Sequence, residues 1–518
     1  MKVDVLIVGG GIAGLTSAAY LTKNGYDVLL CEKQPKVGGL IGSYEKNGFT
    51  FDQGIRAFEN SGILFPMLKS FDISLDLMPN PVKIGLKDDF VDVSDDNFLK
   101  NYQNLLIKYF PSEEQNINNI INKIELVMKH FEILYEIDNP ILLEGKIKSD
   151  YLFKTLLPWL FKYTKSMKKS KEFYVPVDEY LRKFTENQEL IDIIIQHFFE
   201  KTPAFFALSY FGFYREYKYP AGGTKALIDE MSAYLEKKGA KVFTDTKIET
   251  VDLKNKTATT FQGQKIFFKK IIWAADQKTL YHNIVELPNK KSKQKKLLVS
   301  KSRGSESVFS VNLGVKLEGA YFKEKIGPHC FYTAFTKGIS HLGKWQDSSN
   351  LDEWLKDFLK YTTYEISCPS LRDSSMAPKG HTNLIVSTLF DYDLVLHYKN
   401  KQDLNKLENI VKNEVLNLLS KTILPEIKNN IVFESCSSPL TIEKFTGNLD
   451  GSLTGWSYKN KIVPSTTNFK KITKSIQTEL PNVYQAGQWT FSPAGMPTSI
   501  LTGKLAADKI MKKVRKNK

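Results

Sequence analysis

The stretch VDVLIVGGGIAGLTSAAYLTKNGYDVLLCEKQPKVGG, Val3 to Gly39, admits three readings: a secretion signal, a membrane anchor or a nucleotide-binding unit. A secretion signal places a basic stretch before its apolar core and ends at a small-residue cleavage site. Here Asp4 stands where the basic stretch belongs, and polar Lys23-Asn24-Gly25-Tyr26-Asp27 leads straight into a second apolar run. A membrane span needs about 18 or more continuous apolar residues, whereas this run is dense in glycine and breaks at Thr16 and Ser17. The third reading accounts for every feature. Val3 to Val8, apolar but for Asp4, has the mostly β-branched character of a parallel strand buried on both faces. Gly9, Gly11 and Gly14 match G-x-G-x-x-G, in which the first glycine makes the tight turn, the second admits a pyrophosphate to the backbone and the third lets helix pack on strand. A helix carrying Leu15, Ala18, Ala19 and Leu21 stops near Gly25, a strand runs from Asp27 to Cys31, and Glu32 stands where a carboxylate accepts hydrogen bonds from a ribose diol. A phosphate on that ribose would be repelled by Glu32, so the adenosine of FAD or NAD fits better than that of NADP.

Gly38-Gly39 and the later GFTFDQG, Gly48 to Gly54, extend the pattern. With them the chain resembles the flavoprotein family that includes monoamine oxidases, phytoene desaturases, carotenoid isomerases and retinol saturases. Several later segments carry the same resemblance: YPAGGTKALIDEMSAYLEKKGAKVFTDTKIETVD (Tyr219–Asp252), a Gly-Gly turn, helix and strand beside the adenine; KKIIWAADQ (Lys269–Gln277), a strand returning under the flavin domain; and NVYQAGQWTFSPAGMPTSILTGKLAADKIM (Asn482–Met511), the closing flavin motif. CPSLRDSSMAPKGHTNLIVST (Cys368–Thr388) and PLTIEKFTGNLDGSLTGWS (Pro439–Ser457) are similar to late segments of phytoene-dehydrogenase-like and retinol-saturase-like proteins rather than amine oxidases. Leu40 replaces the arginine typical of amine oxidases. Gln488 departs from the acidic or small residue that carotenoid isomerases and desaturases tend to have after the glycine matched by Gly487.

Chain order favours FAD without help from the family. One half-site near residue 10 and a second glycine-punctuated turn at Gly487 to Gly503 imply a domain assembled from both ends of the chain, and no second G-x-G-x-x-G follows a strand. The electron acceptor is left open. The expected fold is α/β, a Rossmann-like FAD-binding domain from discontinuous segments with an α+β substrate domain and a helical cap. The FAD domain is placed at residues 1–75, 217–286 and 446–518, the cap at 76–216 and the substrate domain at 287–445. The expected cofactor set is Gly9, Gly11, Ile12, Ala13, Gly14, Glu32, Lys33, Gly38, Gly39, Leu40, Ile248, Ala275, Gly487, Gln488, Gly495, Met496 and Pro497.

With 42% hydrophobic and 25% charged residues over 518 positions, the chain is an ordinary folded protein of two to four domains. Cys31, Cys330, Cys368 and Cys436 lie far apart with no C-x-x-C, and the histidines give no metal spacing, so neither zinc nor a disulfide framework is expected and a reducing cytoplasm suits the chain. Net charge is +15 and the pI near 9.2. Nothing matches a nucleic-acid fold signature. Lysines cluster at Lys290–Lys296, at Lys512–Lys518 and at Lys162–Lys171, the last beside apolar Leu152, Phe153, Leu156, Leu157, Trp159, Leu160 and Phe161. That segment is too short to span a membrane. It suits an interfacial helix on the inner face of an anionic membrane, or a buried helix with a solvated lysine face.

Between the cap and Gly222, PAFFALSYFGFYREYKYP (Pro203–Pro220) places Phe205, Phe206, Tyr210, Phe211, Phe213, Tyr214, Tyr217 and Tyr219 within one short segment. Some of these belong to a core, and the rest suit an apolar tunnel. The resemblance implies a lipophilic polyene or polyisoprenoid substrate undergoing desaturation, saturation or flavin-assisted isomerisation. Arg56 and Glu59, and Arg215 and Glu216, are the charged candidates to face the ring, with a structural salt bridge as the alternative for each pair. Two other functions stay open: a flavin amine oxidase with Trp489 in an aromatic cage, and a lipid-binding escort of prenylated proteins without redox chemistry.

Overall fold

The computed structural model describes residues 1–59, 62–143 and 149–515. Lys516 and Lys518 of the C-terminal lysine run lie outside the described residues. Two seven-stranded sheets organise the chain. The first runs Ile248–Asp252, Thr257–Thr260, Lys265–Trp273, Lys2–Val8, Val28–Cys31 and Lys241–Phe243, with Val483–Gln485 parallel to the end of Lys265–Trp273. Lys2–Val8 sits in the middle, parallel to both neighbours, and Val5, Leu6 and Ile7 are almost wholly buried, as a strand covered on both faces requires. Strands near residues 5, 270 and 484 therefore lie side by side. Helix Met496–Arg515 packs across helix Ile12–Lys23, where Ser17 Oγ donates to the carbonyls of Ala13 (2.9 Å) and Gly503 (3.0 Å).

The second sheet runs Ile431–Ser437, Ser307–Val315, Thr382–Phe390, Thr363–Ser367, His329–Thr333, Val82–Leu86 and Asp89–Asp92. Its last two strands fall inside the range expected for the cap. Val82–Leu86 carries a buried Val82 and Leu86, and it pairs in parallel with His329–Thr333 instead of continuing the helical region. Beyond it, helices including Phe98–Tyr109, Glu114–Tyr135, Gln188–Ile195 and Ala204–Phe213 enclose a core built on Ile117, Ile120, Ile124, Leu208 and Phe211. A short ribbon, Leu77–Pro79 against Lys218–Pro220, brings together the points where the chain enters and leaves this region.

Candidate functional site

Strand Lys2–Val8 delivers the chain to a cleft of about 920 Å³ that reaches from the first sheet to the second. At its phosphate end a side chain on Gly9 would stand 2.7 Å from the Ala274 carbonyl oxygen, and one on Gly14 would stand 2.0 Å from that of Gly9. Turn, strand and helix are thus interlocked through backbone alone. Gly14 lies behind the cleft surface, whereas Gly11, Ile12 and Ala13 line it. A Cβ on Gly11 would meet nothing within 4 Å. Helix Ile12–Lys23 has no side-chain cap and no acidic residue in its first turn, so its free N–H groups present partial positive charge to the cleft.

Glu32 is the next wall. Its carboxylate accepts the N–H of Gly10 at 2.6 Å and of Gln34 at 2.9 Å, and the residue lines the cleft while mostly buried. Gly38 donates its N–H to the Gly10 carbonyl, pinning the second glycine pair to the first, with Gly39, Leu40 and Lys33 also on the cleft surface. Ile248 and Ala275 border the same end. From the other end of the chain Gly487, whose N–H donates to Thr502 Oγ1 (2.9 Å), brings Gln488, and Gly495 and Met496 open the closing helix onto the cleft. Pro497 stands in that helix's first turn and is not on the lining. An uncapped helix N-terminus, open backbone at Gly11 and a carboxylate at the adjoining strand end fit the pyrophosphate and ribose of FAD.

The charged candidates separate. Arg56 is buried on the cleft wall, with Nη1 donating to the Asp52 carbonyl (3.1 Å) and Nη2 to Ser387 Oγ (2.8 Å). Glu59 also lines the cleft, and burial pushes its carboxyl up to about 7. Arg215 and Glu216 are exposed outside it, Arg215 being 3.3 Å from Asp96. Their turn follows helix Ala204–Phe213, whose buried positions include Phe205, Leu208, Phe211 and Phe213. Tyr210 and Tyr217 line the cleft, while Phe205 and Phe206 line a second cavity of about 880 Å³ under the cap. Phe211, Phe213, Tyr214 and Tyr219 are core.

A further set has no motif in the sequence. His329 and Glu365 lie on the cleft wall, joined by a 2.9 Å contact from Nε2 to Oε1. They are diagonal neighbours on two antiparallel strands, since His329 pairs with Ser367 and Phe331 with Glu365. Burial pushes the imidazole down, against the pull of Glu365. Burial also opposes charge on Glu365, but the His329 hydrogen bond with the Arg56 and Arg372 guanidiniums outweighs it and holds that carboxyl below its ordinary value. The period-two alternation of strand Thr363–Ser367 was the only sequence signal pointing to this face.

Residues 12–511 match the family model described as flavin containing amine oxidoreductase. The chain is 24% identical over 480 residues to a chloroplastic prolycopene isomerase of Daucus carota, covering 87% of this chain and 71% of that protein. It is 24% identical to the 4,4'-diapophytoene desaturase of Staphylococcus haemolyticus over 99% of this chain and 100% of that one, and 23% identical to the all-trans-retinol 13,14-reductase of Danio rerio over 94% and 82%. In fold it resembles putrescine oxidase (TM-score 0.60, 13% identity, 99% of both chains) and reduced UDP-galactopyranose mutase (TM-score 0.60, 15% identity, 99% and 96%). With a family model spanning nearly its whole length and a cleft that fits FAD at both ends of the chain, the protein is an FAD-dependent oxidoreductase and belongs to the flavin containing amine oxidoreductase family.

Proposed function

We propose that the protein acts on a long apolar polyene of the carotenoid or retinoid kind, desaturating, saturating or isomerising it beside the flavin. The observation that carries this reading is the aromatic wall shared by two cavities. Phe206 lines the cavity under the cap and Tyr210, one turn along the same helix, lines the cleft, with their rings 5.1 Å apart and perpendicular. Aromatic walls of this kind suit an extended apolar chain. The names of the relatives support the same substrate class. Flavin supplies the acceptance or donation of a hydride. Gly487 and Gln488 on the cleft wall would hold the isoalloxazine end, and the aromatic walls would keep water from the polyene.

Delivery from a membrane surface is part of the proposal. Phe153, Leu157, Leu160 and Phe161 are exposed, the last at 83%, beside the lysines of the same segment. Met167 and Lys171, further along it, line the cavity under the cap. No helix among the described residues is long and apolar enough to cross a membrane.

The test is an absorption spectrum of FAD-loaded protein, anaerobically reduced or oxidised, before and after addition of polyene in liposomes. Flavin bands that change, with altered double-bond content or geometry in the recovered polyene, are expected. Peroxide evolution from a panel of long-chain amines, with no response to polyenes, would replace this reading by an amine oxidase. Protein that takes up no FAD would favour a lipid escort.

A further inference from the structure

A cleft that takes an apolar substrate has little need of a chain of buried polar groups that ends at its wall. Arg372 starts such a chain. Its guanidinium lies over the Tyr219 ring at 3.9 Å, Nη2 donates to Ser367 Oγ (2.6 Å) and Nη1 to Asn80 Oδ1 (3.0 Å). Because Asn80 Oδ1 accepts from arginine, its Nδ2 is the atom facing His329 Nδ1 at 3.3 Å. An amide nitrogen only donates, so Nδ1 is the acceptor and the ring hydrogen sits on Nε2. That hydrogen is donated to Glu365 Oε1. Asn80 and His329 are each 1% exposed and Arg372 8%, whereas the Glu365 side chain keeps 29% exposure where it meets the cleft. The far end is anchored too, since Tyr219 donates from its hydroxyl to the buried Asp52 carboxylate at 2.6 Å.

Burying this many polar groups does not by itself favour the fold, because apolar residues of similar volume would stabilise it as well or better. What the chain does is fix one tautomer of one histidine and hold one carboxylate at the wall where substrate would lie. Resting on the polyene reading, we propose that Glu365 is the residue that faces positive charge developing on the polyene and accepts its proton, with His329 and Asn80 as positioning residues. In desaturation a C–H bond breaks with its electron pair, and the hydride leaves to the oxidised flavin, which gains two electrons. The neighbouring C–H bond then breaks in the other sense: the proton goes to Glu365, and the pair left behind closes the new C=C. The proton beside an allylic cation is acidic enough that a weakly basic carboxylate can take it. Fixed negative charge in an apolar site matters more than basicity. The groups that face Glu365 are His329 from its own sheet, Arg56 and Arg372 from the adjoining loops, and His197, Tyr210, Tyr214 and Tyr217 from the cap.

The experiment uses FAD-loaded protein and two readouts. A dimethylalkylammonium of carotenoid-like length, a stable analogue of the cation, is titrated and its binding followed by tryptophan and flavin fluorescence. Glu365→Gln keeps the His329 hydrogen bond and the side-chain shape, and is expected to bind this probe about tenfold more weakly. Its polyene turnover should fall about a hundredfold or more, the range seen for lost proton-transfer groups. In His329→Phe the acid-side loss of probe binding should move to higher pH, because the carboxyl loses the hydrogen bond that keeps it ionised; a purely structural histidine would not move that limb. Unchanged probe affinity or ordinary polyene turnover in Glu365→Gln overturns the proposal alone. Absence of polyene turnover in the unmodified protein overturns the polyene reading and this proposal together.

Discussion

A methyl group on Gly14 would have to occupy space 2.0 Å from the Gly9 carbonyl oxygen, which belongs to a turn already wedged against Ala274. Neither backbone can yield without moving the strand or the helix that presents N–H groups to the cleft. Gly14→Ala is expected to cost about 1–3 kcal/mol and to leave the purified protein without flavin, read from the ratio of flavin to protein absorbance. Glu59 poses a different problem, one of charge. Its folded-state value near 7 stands above the ordinary 4.5. Below pH 4.5 the group is protonated in both folded and unfolded chains and makes no difference. Between 4.5 and 7 the unfolded chain ionises first, so the folded state progressively loses up to about 3 kcal/mol, and above 7 the loss is constant. Glu59→Gln should therefore raise stability at pH 8 and leave it unchanged at pH 4, as measured by urea unfolding of FAD-free protein at the two pH values.

At the scale of elements, helix Leu157–Lys169 shows how one face is chosen. Trp159 Nε1 donates to the Ile133 carbonyl (2.7 Å) and Lys162 pairs with Glu136 (2.6 Å), which docks that face on helix Glu114–Tyr135 and its C-cap and leaves Leu157, Leu160 and Phe161, with Phe153 of the preceding turn, outward. The alternative of a buried helix with a solvated lysine face is therefore not what the chain adopts. Insertion of an aromatic ring into the acyl region is worth about 1.5–3 kcal/mol, so Phe153→Glu with Phe161→Glu is expected to abolish cosedimentation with anionic vesicles while flavin content stays unchanged. Equal sedimentation of variant and parent would end the membrane-surface reading. The sequence shows the apolar run Tyr151 to Phe161 and the lysines that follow it, but which side faces outward is set by the Trp159 and Lys162 contacts with the neighbouring helix. Legible in the sequence were the places of Gly9, Gly11 and Glu32 on the cleft wall, which follow from a strand, a glycine turn, a helix and a second strand in close succession. Asn80, His329, Glu365 and Arg372 obey no such spacing. They meet only because Val82–Leu86 leaves the helical region to pair with His329–Thr333, a register decided by burial of Val82 and Leu86 and not by any neighbour in sequence. Arg56 and Glu59 could be singled out as charges in a motif-rich segment. Arg215 and Glu216 looked the same from sequence, but sit exposed in the turn after helix Ala204–Phe213.

Across the whole molecule the cofactor cleft depends on both ends of the chain. Lys2–Val8, Lys265–Trp273 and Val483–Gln485 lie in one sheet, and the helices that follow the first and last of these strands cross where Gly503 meets Ala13. A Cβ on Gly503 would stand 2.6 Å from the Ala13 carbonyl oxygen and 3.2 Å from Thr16 Cβ. In an isolated helix glycine to alanine is favourable by about 1 kcal/mol, so any loss from Gly503→Ala reports the crossing and not the helix. The variant keeps Gly9, Gly11, Gly14 and Glu32 untouched, yet it is expected to bind FAD poorly, because parting the helices moves Ile12 and Ala13 away from Gly487 and Met496 across the cleft. In thermal unfolding, FAD at a hundred times its dissociation constant stabilises the parent by about 2.7 kcal/mol; the variant at the same concentration should gain much less. Equal gains would mean that the helices can separate by a few tenths of an ångström without disturbing the cleft, and that the N-terminal half-site alone sets the affinity for FAD.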